Sequence, residues 1–251
     1  MKLLNCSPLR PELPALIYLP GMDGTGKLIH RQSKSLSDFF NLYSLALPPT
    51  DMSTWDELAQ GVIAVIKSEV QRKSVYLCGE SFGGCLALKI ALKTPEMINK
   101  LILVNPASSL RQSSWLSFGI SISHWLPELV HHTSALGLLP FLASLGRVEA
   151  CDRRELLQAM RTLPQAVVCW RLSLLYDFFI EPFQFKQFTS PALIIASAAD
   201  RLLSSVEEGQ RLQSLFPQAQ LEVLPQSGHA CLLESAMDLT KILKQQNFLP
   251  A

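Results

Sequence analysis

Val75-Tyr76-Leu77-Cys78-Gly79-Glu80-Ser81-Phe82-Gly83-Gly84-Cys85-Leu86-Ala87-Leu88 decides the fold. Val75 to Cys78 reads as a short buried strand, and the apolar run Leu86 to Leu92 lies within a helix from about Phe82 to Lys93. Between them, Gly79 to Gly83 fits G-x-S-x-G in the context that motif needs, with a strand before it and a helix after. A serine on such a turn has disfavoured backbone angles, and its neighbours must lack side chains for the turn to close. Ser81 then stands exposed at the strand's end, above the positive end of the following helix. The pentapeptide alone is common. Its flanks set it apart from an ordinary Gly-rich turn that happens to hold a serine.

Outward from this turn the chain alternates strands and helices. Ala15 to Leu19, closed by Pro20-Gly21, and Leu42 to Leu47, closed by Pro48-Pro49, are strand-like. Trp55, Leu58, Val62, Val65, Ile66 and Val70 recur at helical spacing, with Ser53 or Thr54 as the cap. Strands follow at Leu101 to Val104, Ala192 to Ala196 and Leu221 to Leu224, and helices at Val206 to Phe216 and Cys231 to Lys244. Such alternation predicts an α/β fold: a mostly parallel sheet covered by helices on both faces. Residues 106–190 break the rhythm, with helical patterns at Arg153 to Arg161 and Val167 to Ile180. We read them as a helical cap inserted between the fourth and fifth recognisable core strands of a single domain spanning 1–251. The plainer reading is additional core.

A serine hydroxyl is a weak nucleophile and needs a base and an orienting acid, which follow in this fold in the order Ser, Asp or Glu, His. Asp200 comes just after the strand Ala192 to Ala196, and His229 comes between the strand Leu221 to Leu224 and the closing helix. Both sit in loops at carboxyl ends of strands, where they can converge on Ser81. Asp177 is the rival acid. His30, His124, His131 and His132 are weaker candidates for the base, the last three falling in the cap. Oxyanion donors are expected from the Phe82 amide and from the turn Pro20 to Gly26, with Met22 favoured and Asp23 as the alternative.

Composition narrows the classes. The 251 residues carry 22 basic and 21 acidic side chains, a balance without the basic excess of a nucleic-acid binder. Gly21-Met22-Asp23-Gly24-Thr25-Gly26-Lys27 matches the G-x-x-x-x-G-K of a phosphate-binding loop, but Leu28 stands where a Mg²⁺-holding hydroxyl is required. None of the six cysteines forms a C-x-x-C pair, so zinc and dithiol sites lack their spacing, and a reducing, cytoplasmic setting is the simpler reading. No metal or cofactor is implied. Met1 to Cys6 is too short for a signal h-region before Pro8, Arg10 and Pro11. Leu129 to Gly146 is long enough for a membrane span but too polar, so an apolar cap in transient contact with an internal membrane is the better reading. Oligomeric state is silent.

Taken together, Leu19-Pro20-Gly21-Met22-Asp23-Gly24-Thr25-Gly26 and Gly79-Glu80-Ser81-Phe82-Gly83-Gly84-Cys85-Leu86-Ala87-Leu88 resemble the α/β-hydrolase superfamily. More narrowly they are similar to the hydrolase portion of plant and cyanobacterial phytyl ester synthases, esterase/lipase/thioesterase-like proteins that act on fatty-acyl lipids. Pro20 stands where many α/β-hydrolases have His, and the narrower family tends to share it. The longer synthases add an acyltransferase-like domain with an H-x-x-x-x-D motif, and none of the five histidines here has Asp five positions on. The resemblance implies Ser81, Asp200 and His229 as a triad serving acyl hydrolysis or Ser-mediated transfer. A lipid or small acyl ester would be the substrate, with Trp115, Phe118, Trp125, Phe141, Trp170 and Phe178 of the cap as expected walls. Phe179 belongs to the same apolar set. A catalytically silent binding module on the same scaffold is the competing class, and a complete triad counts against it.

Overall fold

The computed structural model describes residues 1–70, 72–110 and 139–250. Seven strands form one sheet: β1 (Lys2–Asn5), β2 (Ala15–Leu19), β3 (Asn41–Ala46), β4 (Val75–Glu80), β5 (Ile98–Val104), β6 (Ala192–Ser197) and β7 (Ala219–Leu224). Their order is β1-β3-β2-β4-β5-β6-β7, and all neighbours run parallel except β1 against β3. β2 has β3 on one side and β4 on the other, so the connections run in opposite directions from it. Open α/β sheets bind ligands at such a switch point, beyond the carboxyl ends of the strands.

The central strands are apolar throughout because both of their faces are covered. Ile17, Leu19, Leu77, Leu101, Leu103 and Ile194 lie in one core with the helices α2 (Trp55–Glu69) and α3 (Phe82–Lys93). Leu16, Tyr18, Tyr76, Cys78, Ile102, Val104, Leu193 and Ile195 face the opposite way, against α1 (His30–Leu36) and the C-terminal helix Leu239–Gln245. Thr54 caps α2 as expected, in a reciprocal capping box with Glu57.

β1 escaped the sequence reading. It is a four-residue antiparallel edge strand whose pairing partner is β3, about forty residues on, and nothing local announces that. The closing helix is also shorter than expected. Cys231–Leu233 is a 3₁₀ turn, the chain then leaves helical geometry, and Asp238 caps a separate helix by accepting from the Lys241 amide. The break falls where the Glu234 side chain is drawn towards the loop before it.

Between β5 and β6, the described residues include helical residues 139–142, α4 (Ala150–Arg161), α5 (Gln165–Tyr176) and the short Pro182–Phe185. The expected helix over Val167 to Ile180 thus ends earlier, at Tyr176, with Asp177 as its C-cap. Trp115, Phe118, Trp125, His124, His131 and His132, and most of Leu129 to Gly146, lie outside the described residues. No helix among the described residues is long and apolar enough to cross a membrane.

Candidate active site

β4 delivers Ser81 at its carboxyl end, with φ 54° and ψ −114°, the disfavoured geometry expected of such a turn. Packing enforces it. A Cβ at Gly83 would lie 2.1 Å from the Leu19 carbonyl oxygen, and one at Gly79 would lie 2.3 Å from that of Gly83. The turn after β2 therefore presses directly on the start of α3, and only glycine permits the approach. The Ser81 carbonyl accepts from the amides of Gly84 (2.9 Å), Cys85 (3.3 Å) and Ala107 (3.2 Å).

Strand spacing sets the next problem. β7 lies three strands from β4, about 14 Å at the usual separation. The loop after β7 folds back across the ends of β6 and β5 to bring His229 to Ser81. There Nε2 of His229 lies 2.8 Å from Ser81 Oγ, and Nδ1 lies 2.7 Å from Asp200 Oδ2. Asp200 sits three residues beyond β6, its side chain fully buried. Its Oδ2 also accepts from the Ser205 hydroxyl, and its Oδ1 accepts from the amides of Leu202 (2.8 Å) and Leu203 (3.0 Å). The structure thus brings together the serine, acid and base named from the sequence. Asp177 is exposed at the far end of α5, and His30 pairs with Asp152 instead.

The electrostatics make the imidazole a stronger base than a free histidine. Burial alone would raise the Asp200 pKa, but the adjacent His229 charge and the hydrogen bonds from His229, Ser205 and Leu203 bring it below the usual carboxylate value. Burial likewise pulls His229 down, while the Asp200 carboxylate, its hydrogen bond and the field of Glu80 leave it above its ordinary value.

Three contributors were not legible as such in the sequence. Asn105, fully buried at the end of β5 with φ 42°, donates from Nδ2 to the His229 carbonyl (2.7 Å) and to Ser197 Oγ (2.9 Å). Its Oδ1 accepts from the Ser197 amide at 2.8 Å. Glu234, also fully buried, accepts from Ser227 Oγ (2.9 Å), the Gly228 amide (2.7 Å) and Arg147 Nε (2.7 Å). Glu80, read only as a spacer in the motif, is buried and accepts a hydrogen bond from the Tyr18 hydroxyl. Burial raises its pKa to about 7, partly offset by the Tyr18 bond and His229. A polar side chain at the end of an apolar strand was the available signal in each strand case.

The turn after β2 lies against the serine: a Cβ at Gly21 would be 3.8 Å from Ser81 Cβ. Its amides do not form a phosphate cradle. Those of Gly24, Thr25 and Lys27 are used internally, by the Gly21 carbonyl, the Asp23 carboxylate and Thr25 Oγ1. Among the expected wall residues, Phe178 meets Trp55 edge-on at 5.3 Å, and Trp55, from the start of α2, stacks on Phe82 at 4.6 Å. Trp170 is partly buried against the same core and donates to the Ser53 carbonyl, whereas Phe141 is exposed. Glu149, Cys151 and Asp152 come within reach of one another, but the Asp152 oxygens are already engaged by His30 and Arg31.

A mostly parallel sheet with a serine at a strained strand-to-helix turn, linked to histidine and acid from later strand ends, defines an α/β-hydrolase. The chain belongs to the family described as serine aminopeptidase, S33, whose model matches residues 49–236. It is similar to "Phytyl ester synthase 1, chloroplastic" of Arabidopsis thaliana, at 30% identity over 96% of this chain, and spans 38% of that protein's length. The "Uncharacterized hydrolase YugF" of Bacillus subtilis is 27% identical over 87% of this chain and 84% of its own. Among solved structures, MenH from S. aureus superposes with a TM-score of 0.79 at 16% identity, covering 98% of each chain. The family match and the Bacillus relative support a hydrolase, and the solved structure shows the same fold.

Proposed function

We propose that this chain is a serine-dependent acyl hydrolase or acyltransferase acting on apolar acyl esters through an acyl-Ser81 intermediate. The observation that carries the reading is the unbroken series of hydrogen bonds from Ser81 Oγ through His229 to Asp200. His229 Nε2 takes the hydroxyl proton as Ser81 Oγ attacks the acyl carbonyl, while Asp200 holds the imidazole in its tautomer and stabilises the imidazolium. The Phe82 and Met22 amides receive the tetrahedral oxyanion. His229 then protonates the departing alcohol or thiol. Water or an acceptor alcohol, deprotonated by the same nitrogen, resolves the acyl-enzyme. The relative named for phytyl ester synthesis supports an apolar acyl group. A silent binding module would have no use for a buried carboxylate aimed at the histidine that contacts the serine.

Fluorophosphonate labelling tests the assignment, coupled to product analysis on lipid esters with and without an added long-chain alcohol. Ser81→Ala is expected to abolish labelling and to lower kcat by on the order of 10⁶. Labelling that persists unchanged in the variant overturns the reading, and a new ester in the presence of alcohol separates transfer from hydrolysis.

A further inference from the structure

Arg171 is the largest of the almost fully buried side chains among the described residues, with 2% of its surface exposed. It projects from α5, in the segment inserted between β5 and β6, onto the turn after β2. Its Nη1 donates to the Met22 carbonyl oxygen at 2.6 Å. The guanidinium packs against Gly24, at φ 67°, where a Cβ would come within 2.6 Å of Nη1 and 3.3 Å of Nη2. Its Cζ is 5.8 Å from the centre of the Phe82 ring, within cation–π reach. One side chain therefore touches both residues whose amides the acyl-transfer reading assigns to the oxyanion.

Stability does not explain its presence. Nη2 has no hydrogen-bond partner among the described residues, and a buried donor on a charged group is costly to leave unpaired. The charges facing it, Asp23 and Asp51, act through the local field and make no hydrogen bond to it among the described residues; Asp23 is already committed to the Thr25 amide and hydroxyl. The helix does not need Arg171 as an anchor either. Trp55 Nε1 donates to the Leu174 carbonyl at 2.8 Å and Trp170 Nε1 to the Ser53 carbonyl at 3.1 Å, tying α5 to the start of α2 independently.

We propose that Arg171 is a positioning residue for the turn that supplies the Met22 amide, making that donor's placement conditional on the seating of the inserted helix. The proposal rests on the acyl-transfer reading. By fixing the Met22 carbonyl, the guanidinium sets the orientation of the residue whose amide must meet the developing oxyanion. Displacement of α5 releases that constraint, so hydrolytic competence is coupled to the seating of this helix through one side chain. Errors of about 1 Å in such a site are enough to lower rates by about 100-fold.

The test is steady-state turnover of an acyl ester by the full chain, with thermal melting, for Arg171→Met and Arg171→Lys. Methionine fills similar volume without charge and removes the buried, unpaired Nη2 donor, whose burial is costly. Arg171→Met is expected to melt no lower than the parent, to lose about 10- to 100-fold in kcat and to change KM less than about threefold. Arg171→Lys, which keeps one donor, is expected to fall between them. An unchanged kcat overturns the proposal. So does a raised KM at constant kcat, which would make Arg171 a substrate ligand, and so does a marked loss of melting temperature in both variants, which would make it structural. A parent protein that turns over no acyl ester and takes no label at Ser81 instead removes the reading beneath the proposal.

Discussion

Ser81 and His229 meet at 2.8 Å, yet opposite means hold them there. Ser81 is fixed by hard contact: backbone oxygens lie where Cβ atoms of Gly79 and Gly83 would be, and no polar side chain caps the helix that follows. His229 is held by hydrogen bonds from afar. Asn105 grips its carbonyl, while Glu234 ties down Ser227 and Gly228 just before it. The Ala230 amide donates to the Leu142 carbonyl at 2.7 Å. Steric fixation gives a rigid serine but tolerates no added atom. Polar fixation is spread over several bonds, each worth about 1 kcal/mol net, so it should degrade by steps.

The largest effect that contrast predicts is at Gly83. Alanine there must push back the end of β2, and overpacking of this kind costs about 3 kcal/mol, or roughly 10 °C of melting temperature in a chain this size. A thermal scan of Gly83→Ala that matches the parent would show that the turn is not sterically fixed. Next comes Asn105→Ala, which strands the Ser197 amide and the His229 carbonyl in a dry interior. It should cost about 1–3 kcal/mol and lower turnover about tenfold while leaving Ser81 open to labelling. Complete loss of the folded protein would mean that the histidine loop is no more tolerant than the serine turn.

The smallest expected effect concerns pH. Glu80 lies behind both groups, and its pKa near 7 exceeds its ordinary 4.5 because burial disfavours the carboxylate. The native state thus binds this proton more tightly than the unfolded chain does, so stability from this site is lost as pH rises from about 4.5 to 7. Glu80→Gln should flatten that loss, seen as a smaller difference in denaturation midpoint between pH 5 and pH 8. Because the Glu80 charge helps to raise His229, the variant should also move the acid limb of kcat/KM to lower pH, by less than about one unit. A limb that moves upward would contradict the assigned field.

The strands of the sheet and the three residues of the hydrogen-bonded series were legible because each is marked locally. An apolar run ends in Gly, Pro or a short polar loop, and the chemistry-bearing residue stands just beyond it. Asn105 also follows a strand, but its role depends on β6 and on a loop more than a hundred residues away. Glu80 occupied a variable position of the motif, and its meaning comes from Tyr18 on the neighbouring strand. Arg171 interrupts an apolar helix, which marks it as unusual without saying what it meets. Phe178 shows the reverse. An aromatic taken as a wall for substrate belongs to the main core beside Trp55, where aromatic burial is ordinary.

The joint between the inserted segment and the histidine loop bears on chimera design. Val148 pairs with Glu234 as an isolated bridge, the Arg147 carbonyl accepts from the Ser235 amide, and Leu142 accepts from Ala230. Residues 142–148 therefore support the loop that carries His229, while Ala143 and Val148 also pack with Leu156 and Ala159 of α4. Exchanging this segment among relatives to alter selectivity calls for splice points that keep those seven residues with the recipient, because a graft that replaces them rebuilds the general base's own support.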